Sequence, residues 1–128
     1  MFIVNNSRGK APMFSITFGL QEGYGDNAKS HTVEEVVDLI EAFLKSCAAA
    51  GRPFLTGSVT TGTVVYAWPE GEGKAGSGHE SQASFTGNQN PLYNGNMSQI
   101  EVEGFLNDLA AEVGTALGQT RVYVSFDG

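Results

Sequence analysis

The sequence is short of cysteine, of long hydrophobic runs and of basic residues, and each shortage argues against a class of function. Cys47 is the only cysteine, so no internal disulfide can form, and we expect a reducing, cytoplasmic location. Polar residues follow immediately after residues 1–4, so the start lacks the apolar core of a secretory signal. No apolar run approaches the roughly 20 residues that cross a bilayer, so we expect no membrane partner.

Basic residues are both few and scattered. Seven Lys and Arg oppose fourteen Asp and Glu, which gives a net charge of −7. Binding to a phosphate backbone needs a basic stripe or patch. The basic residues do not cluster along the chain, where they stand at Arg8, Lys10, Lys29, Lys45, Arg52, Lys74 and Arg121. We therefore predict an acidic protein with no nucleic-acid partner.

The length and the apolar content suit one domain. A chain of 128 residues with 41% hydrophobic content is the size of a typical domain and can bury about two thirds of its unfolded surface. We predict a single α+β domain over residues 13–128. Residues 1–12 begin with a short β-prone run and continue with polar residues. They would form an N-terminal arm, an extra edge strand or a frayed terminus.

The central strand is predicted over residues 14–20, where large apolar side chains alternate with small or polar ones. A period of two is typical of a strand with one buried face. The face predicted to be buried consists of Phe14, Ile16, Phe18 and Leu20. The opposite face is shallow and weakly polar, and it consists of Ser15, Thr17 and Gly19. We therefore expect helices to cover only the first face.

Two helices are marked by capping boxes, in which a Ser or Thr and a Glu satisfy each other's backbone amides. The first box runs from Thr32 to Glu35, and its helix ends before Gly51. The second runs from Ser98 to Glu101 and opens a helix that ends at Gly118. Both helices carry an apolar stripe at helical spacing. The first stripe consists of Val33, Val36, Val37, Ile40, Phe43, Leu44 and Cys47.

The rest of the sheet is predicted to be a hairpin followed by a last strand. A β-rich segment runs from residue 54 to about residue 68, and residues 82–86 form a short strand that returns from it. Residues 69–81 between them are so rich in glycine and charge that we expect a long loop at the tip of the hairpin. The last strand is predicted over residues 121–126.

This order of elements, β-α-β-β-α-β, resembles the ferredoxin-like arrangement, in which two helices cover one face of a four-stranded antiparallel sheet. The resemblance is to an architecture and brings no functional motif with it. With the usual strand order 4-1-3-2, mostly small side chains would line the open face, which would carry Ser15, Thr17, Ser84, Thr86, Tyr123 and Ser125. An aromatic rim would join them if the second strand turned Val64, Tyr66 and Trp68 outward, but both faces of that strand are apolar.

The topology brings three connections to one end of the sheet, and we place the candidate ligand site there. These are the loop 21–31, the hairpin tip 69–81 and the turn near Gly118. Free amides at the start of the first helix favour an anion at this end, and a histidine there could change charge near neutral pH. The candidate ligand-binding residues are Tyr24, Asp26, Lys29, His31, Tyr66, Trp68, His79 and Glu80.

Three patterns approach known motifs and fall short of them. Residues 23–30 approach a phosphate-binding loop, but Ala28 stands where the second glycine should be. His79 and Glu80 lack the second histidine of a zinc motif, because position 83 is Ala. Cys47 lies in an apolar stripe, where a buried and inert thiol is expected. We therefore predict no cofactor and no metal.

Three functions remain open on the sequence alone. The first is a homo-oligomeric module that associates through the open sheet face and binds a small molecule at its rim. The second is an enzyme with segment 69–81 as a lid and His31 or His79 as the acid or base. The third is a structural or protein-interaction subunit without a ligand. Because no convergent catalytic set is present, we favour the binding module.

Overall fold

The structure, a computed structural model, describes residue 2 and residues 13–23, 28–88 and 97–127. The predicted N-terminal arm or edge strand over residues 1–12 lies outside the described residues, apart from Phe2. In chain order the elements are β1 (Met13–Gly19), β2 (Gln21–Glu22), β3 (Lys29–Ser30), α1 (Val33–Ala49), β4 (Ser58–Gly71), β5 (Lys74–Asn88), α2 (Gln99–Ala116) and β6 (Tyr123–Asp127).

Four of these strands form one antiparallel sheet in the order β4-β5-β1-β6. This is the predicted strand order, with the first and last strands of the sheet as neighbours, and the fold is α+β and ferredoxin-like. In the register, Thr17 lies opposite Ser84 on one side and opposite Tyr123 on the other. The short strands β2 and β3 pair separately and form a strap before α1.

The core lies on one face of the sheet, as the alternation in β1 predicted. Phe14, Ile16, Phe18 and Leu20 are all buried, together with apolar residues of both helices. Ser15 and Thr17 point to the other face and are only partly buried. Both helices therefore cover one side of the sheet, and within the described residues no helix covers the other side, hereafter the open face.

Both capping boxes form as predicted. Thr32 Oγ1 accepts a hydrogen bond from the backbone amide of Glu35 (3.2 Å), and the Glu35 carboxylate accepts one from the amide of Thr32 (3.4 Å). Ser98 and Glu101 make the same two bonds. The predicted stripe of α1 is wrong at Val37, which is exposed, whereas Val36 is fully buried. Neither helix in the described ranges has the length and the apolarity that a membrane span requires.

The predicted loop at residues 69–81 is wrong, because nearly all of this segment is strand. β4 continues to Gly71 and β5 begins at Lys74, so the connection is the two-residue turn Glu72-Gly73. Both turn residues have positive φ, 46° and 75°. That is the conformation of a type I′ turn, whose twist matches that of the strands it joins.

The glycines that suggested a loop are covered by aromatic rings. Gly78 lies opposite Tyr66 and Gly76 opposite Trp68. A Cβ on Gly78 would lie 3.0 Å from the Tyr66 ring, and one on Gly76 would overlap the Trp68 ring. The two rings stack with their centroids 5.9 Å apart. These glycines therefore make room for side chains of the neighbouring strand, which is a role of glycine within a strand.

The hairpin is longer than the sheet that carries it. β1 pairs with β5 only from residue 82 to residue 88, whereas β4 and β5 stay paired to the turn. Residues 63–71 and 74–81 therefore extend past the end of β1 as a two-stranded unit, which we call the hairpin ribbon.

Candidate functional site

A cavity of about 540 Å³ lies on the open face, where the hairpin ribbon leaves the sheet. This volume is within the range of small-molecule sites, roughly 300–1,000 Å³. All four strands of the sheet contribute to its wall, and so does the turn that leads into β6. The lining residues are Thr17, Gly19, Val64, Tyr66, Glu80, Gln82, Gln119, Thr120, Arg121 and Tyr123.

The strand register fixes which side chains reach the cavity. Val64 lies opposite Glu80 and Tyr66 lies opposite Gly78, so alternate residues of β4 share the open face with alternate residues of β5. Thr17 brings the central strand to the same face, where its hydroxyl lies 3.0 Å from that of Ser84. Val64 and Tyr66 thus point outward from the helix side, an orientation that the sequence pattern left open.

Gly19 forms part of the cavity floor because it has no side chain. A Cβ at this position would lie 2.8 Å from Oε1 of Gln119 and 3.5 Å from Oε1 of Glu80. Gln119 is held in place at its other end, since its Nε2 donates to the carbonyl oxygen of Gln21 (3.0 Å). The missing side chain therefore lets an amide oxygen and a carboxylate approach the floor from opposite sides.

The cavity combines aromatic faces with one charge of each sign. Tyr66 is 40% exposed and Tyr123 is 65% exposed. Glu80 is partly buried, Arg121 is exposed, and these two are the charged residues of the lining. The remaining polar groups are hydroxyls and amides. This set can stack against a planar ring, donate and accept hydrogen bonds, and bind a ligand that carries both charges.

A second polar cluster lies at the strap and the start of α1. His31 Nδ1 lies 2.7 Å from a carboxylate oxygen of Glu35, and His31 Nε2 lies 3.4 Å from one of Glu22. The imidazole is only 6% exposed. The hydrogen bond from His31, with a further one from the Thr32 amide, holds the pKa of Glu35 below its ordinary value. Glu22 also lies against Gly118, which has a φ of +67°.

The structure brings some of the predicted ligand-binding residues together and separates others. Tyr66 and Glu80 line the cavity, and Trp68 stacks on Tyr66. His79 pairs with Val65 and lies on the opposite face of the hairpin ribbon. Lys29 lies in β3 of the strap, and His31 lies between β3 and α1. Tyr24 and Asp26 lie outside the described residues.

The sequence analysis did not identify the part of the site that precedes β6. Gln119, Thr120 and Arg121 line the cavity, and none of them was a candidate. Tyr123, the first residue of β6, also lines it; the sequence placed Tyr123 on the open face but did not nominate it as a ligand-binding residue. The topology placed the turn near Gly118 at this end of the sheet, which was the available signal. The side chains after the turn could have been nominated on that ground.

No cation site emerges from the described part of the chain. In those ranges, no group of three or more His, Cys, Asp or Glu residues is arranged to hold a metal ion. Cys47 is buried in the core, as predicted, and lies away from the open face.

Solved structures that share this fold include two of a phage SAM lyase. The lyase in complex with S-methyl-5′-thioadenosine aligns with a TM-score of 0.65 and 17% identity, over 98% of this chain and 87% of that one. Its apo state aligns with a TM-score of 0.64 and 17% identity, over 98% and 86%. No family model and no curated protein sequence matches the chain. At this identity the likeness shows the fold, and the chain is similar in architecture to a phage SAM lyase.

Proposed function

We propose that this protein is a homo-oligomeric small-ligand-binding protein and that its ligand is an adenosine thioether or sulfonium bound on the open face. The observation that carries the proposal is the cavity of about 540 Å³ formed by all four strands. The likeness to a lyase whose structure contains S-methyl-5′-thioadenosine supports this ligand class. Two further features of the cavity support it as well.

The first feature is the pair of aromatic side chains. Tyr66 and Tyr123 come from the outer strands β4 and β6, so they stand at opposite ends of the lining. A planar base can stack on either ring, an interaction worth about 1–3 kcal/mol for a base on an aromatic side chain. The amides of Gln82 and Gln119 offer donors and acceptors for the edge of the base and for the ribose hydroxyls.

The second feature is the pair of opposite charges. S-adenosylmethionine carries a sulfonium and an amino-acid end, whereas S-methyl-5′-thioadenosine is an uncharged thioether. Glu80 is partly buried and can stabilise a sulfonium, and Arg121 can pair with the carboxylate of the amino-acid end. The charges of the cavity thus suit the sulfonium form, and the tyrosines suit both forms.

Self-association is part of the proposal. The open face has partly buried small residues at its centre and exposed Tyr123 near its rim. A specific interface buries about 800 Å² on each partner, which is the size of one face of a small sheet. A second copy on this face would cover the cavity and exclude water from it. A cytoplasmic location remains a prediction.

A second candidate function is catalysis on S-adenosylmethionine, and the named activity of the similar structures favours it. The form of enzyme that the sequence suggested has less support. Segment 69–81 forms strands and a tight turn and therefore is not a loop-like lid, and neither histidine lines the cavity. In an elimination by a lyase built on this cavity, the bond between the sulfonium sulfur and the amino-acid chain would break with its electron pair passing to sulfur. Glu80, the acidic residue of the lining, would take a proton from the amino-acid chain, which would leave as an unsaturated amino acid.

Calorimetric titration with S-methyl-5′-thioadenosine and S-adenosylmethionine tests the proposal. We expect both compounds to bind the wild type. Glu80→Gln should weaken binding of the sulfonium about tenfold or more, because it removes the charge that attracts the sulfonium, and two opposite unit charges 4 Å apart near a protein surface attract by about 4 kcal/mol. The thioether should lose much less. His79→Ala is the matched control, since His79 is the next residue in β5 and faces the other way; this variant should bind both ligands as the wild type does.

Chromatography of the same mixtures distinguishes the two candidates. Release of S-methyl-5′-thioadenosine from S-adenosylmethionine, lost in Glu80→Gln, would establish the lyase in place of the binding module. Absence of binding by either compound would leave the interaction subunit as the remaining function.

A further inference from the structure

The outer edge of β4 is long, uncharged and unpaired among the described strands. β4 is the first strand of the order β4-β5-β1-β6, so β5 is its only partner among the strands that the structure describes. From Ser58 to Pro69 it contains no Asp, Glu, Lys, Arg or His, and it is rich in Thr, Val and aromatic residues. Soluble proteins usually protect such edges with charged residues, short strands or early bulges. Here the one irregularity is at the far end, between Pro69 and Gly71.

The hydrogen bonding of β5 shows which residues of β4 face outward. The Ser81 carbonyl accepts a hydrogen bond from the Leu20 amide (3.0 Å), so Ser81 faces the β1 side. Neighbouring residues of an antiparallel strand face opposite sides, so Glu80 faces β4 and bonds to its partner Val64. The residues of β4 whose amides and carbonyls point to the free edge are therefore Val59, Thr61, Thr63, Val65 and Ala67.

Pro69 continues the outward-facing series and fits it, because proline has no amide to donate. Within sheets, proline occurs at positions where the missing amide would face solvent. It also ends the edge as a pairing surface, since a strand that paired past this point would find no donor. The usable edge thus runs from Val59 to Ala67, with Thr63 at its centre.

We propose that this edge pairs antiparallel with β4 of a second copy, about a two-fold axis at Thr63. In this register Val59 lies opposite Ala67 of the other copy, and Thr61 lies opposite its Val65. All outward amides and carbonyls between 59 and 67 then find partners. This gives roughly ten main-chain hydrogen bonds, about the number found in a whole interface of standard size.

Several features favour a second copy over another partner. The edge of β4 is uncharged, so it offers no partner charge to a charged peptide. The protein has a net charge of −7, and at this edge two copies can approach without placing like charges opposite each other. A two-fold contact uses the same surface twice and closes, so it gives a discrete dimer. The free edge of β5 beyond β1 differs, because that part of the strand carries Lys74, His79 and Glu80.

This contact is separate from the association through the open face that the proposed function includes. Pairing along β4 would join two sheets side by side into one eight-stranded sheet and leave both open faces on the same side. The edge contact can therefore exist with or without a ligand, and with or without a copy over the cavity. A test of the edge contact must therefore give a signal that association through the open face does not produce.

Disulfide cross-linking tests the register directly. At the two-fold axis the two Thr63 Cα atoms would lie about 5.5 Å apart, within the range that a disulfide spans. We expect Thr63→Cys to form a covalent dimer under mild oxidation, while the native Cys47 stays buried and unreactive. Thr61→Cys is the matched control: it lies on the same edge and the same face, but its Cα would lie about 14 Å from that of its counterpart. Equal cross-linking of both variants, or of neither, would overturn the proposal.

Proline substitution tests the hydrogen bonds. Thr63→Pro removes an outward amide and leaves the bonds to β5 in place, so at several hundred micromolar it should lose the edge dimer. Ser77→Pro removes an outward amide from the other edge of the hairpin ribbon, on β5, and should leave the edge dimer intact. Circular dichroism first confirms that each variant is folded. Amide exchange measured by NMR should then show that the Thr61 and Val65 amides of the wild type become more protected as the protein concentration rises. In Thr63→Pro this protection should disappear. Protection that is independent of concentration, or unchanged in Thr63→Pro, would contradict the proposal.

Discussion

Several glycines of this protein stand where another side chain needs the room. Gly19 admits Gln119 and Glu80 to the cavity floor, and Gly76 lies beneath the ring of Trp68. Gly51 is different, because it ends α1 with a φ of +68° and nothing lies near its missing side chain. The role of each glycine thus depends on what lies beside it. The composition of the chain does not reveal that environment.

Another contribution at the scale of the residue is electrostatic, and it predicts a pH dependence. The hydrogen bond from His31 lowers the pKa of Glu35 below its ordinary value of 4.5. A carboxyl with a lowered folded-state pKa stabilises the fold fully above its unfolded pKa and loses that effect as the pH falls through the folded value. We therefore expect Glu35→Gln to have a lower Tm than the wild type above about pH 5. The difference in Tm between the two proteins should become smaller as the pH falls below about 4.

Thermal unfolding of both proteins from pH 2 to pH 7 checks this prediction. Glu34→Gln is the control, since Glu34 occupies the same first turn of α1 and is exposed. A difference in Tm between Glu35→Gln and wild type that stays constant down to pH 2 would show that the His31 contact does not act through the charge of Glu35.

At the scale of the element, the features that could be predicted are those that depend on residues close together in the sequence. The alternation in β1 and the two capping boxes depend on residues close in sequence, and the structure confirms them. The extent of the hairpin was missed because glycine-rich sequence resembles a loop until the facing strand is considered, where Tyr66 and Trp68 occupy the space that glycine leaves. The wall before β6 depends on a contact between Gln119 and Gln21, 98 residues apart. No local pattern encodes such a contact.

The ring over Gly76 gives the hairpin ribbon its own test. Gly76→Ala should displace the Trp68 ring and destabilise the protein by about 1–3 kcal/mol, the usual cost of overpacking. Trp68 is the only tryptophan, so its fluorescence reports the displacement directly. In the control Gly62→Ala the nearest atom is Gln82 Nε2 at 3.7 Å, and we expect unchanged fluorescence with stability equal or slightly higher. If both variants kept the wild-type spectrum, the ring would not cover Gly76 in solution.

At the scale of the whole molecule, the protein has two unlike sides. The outer surfaces of the helices carry exposed acids, among them Glu34, Asp38, Glu41, Glu103 and Asp108. The open face has small residues, aromatic rings and one charge of each sign around a cavity. Acidic surfaces keep molecules apart, so ligands and further copies are expected on the open face and at the β4 edge. The ferredoxin-like fold was predictable at this scale, whereas the cavity required the structure.

The central claim is that a small ligand occupies the open-face cavity, and an NMR titration with S-methyl-5′-thioadenosine tests it most directly. The account predicts saturable shifts of the backbone amides of Thr17, Glu80, Gln119 and Tyr123, which belong to β1, β5, the turn before β6 and β6 itself. Amides on the outer surface of α2, such as that of Glu103, should not move. Shifts confined to the helix side, or none at millimolar ligand, would contradict the claim.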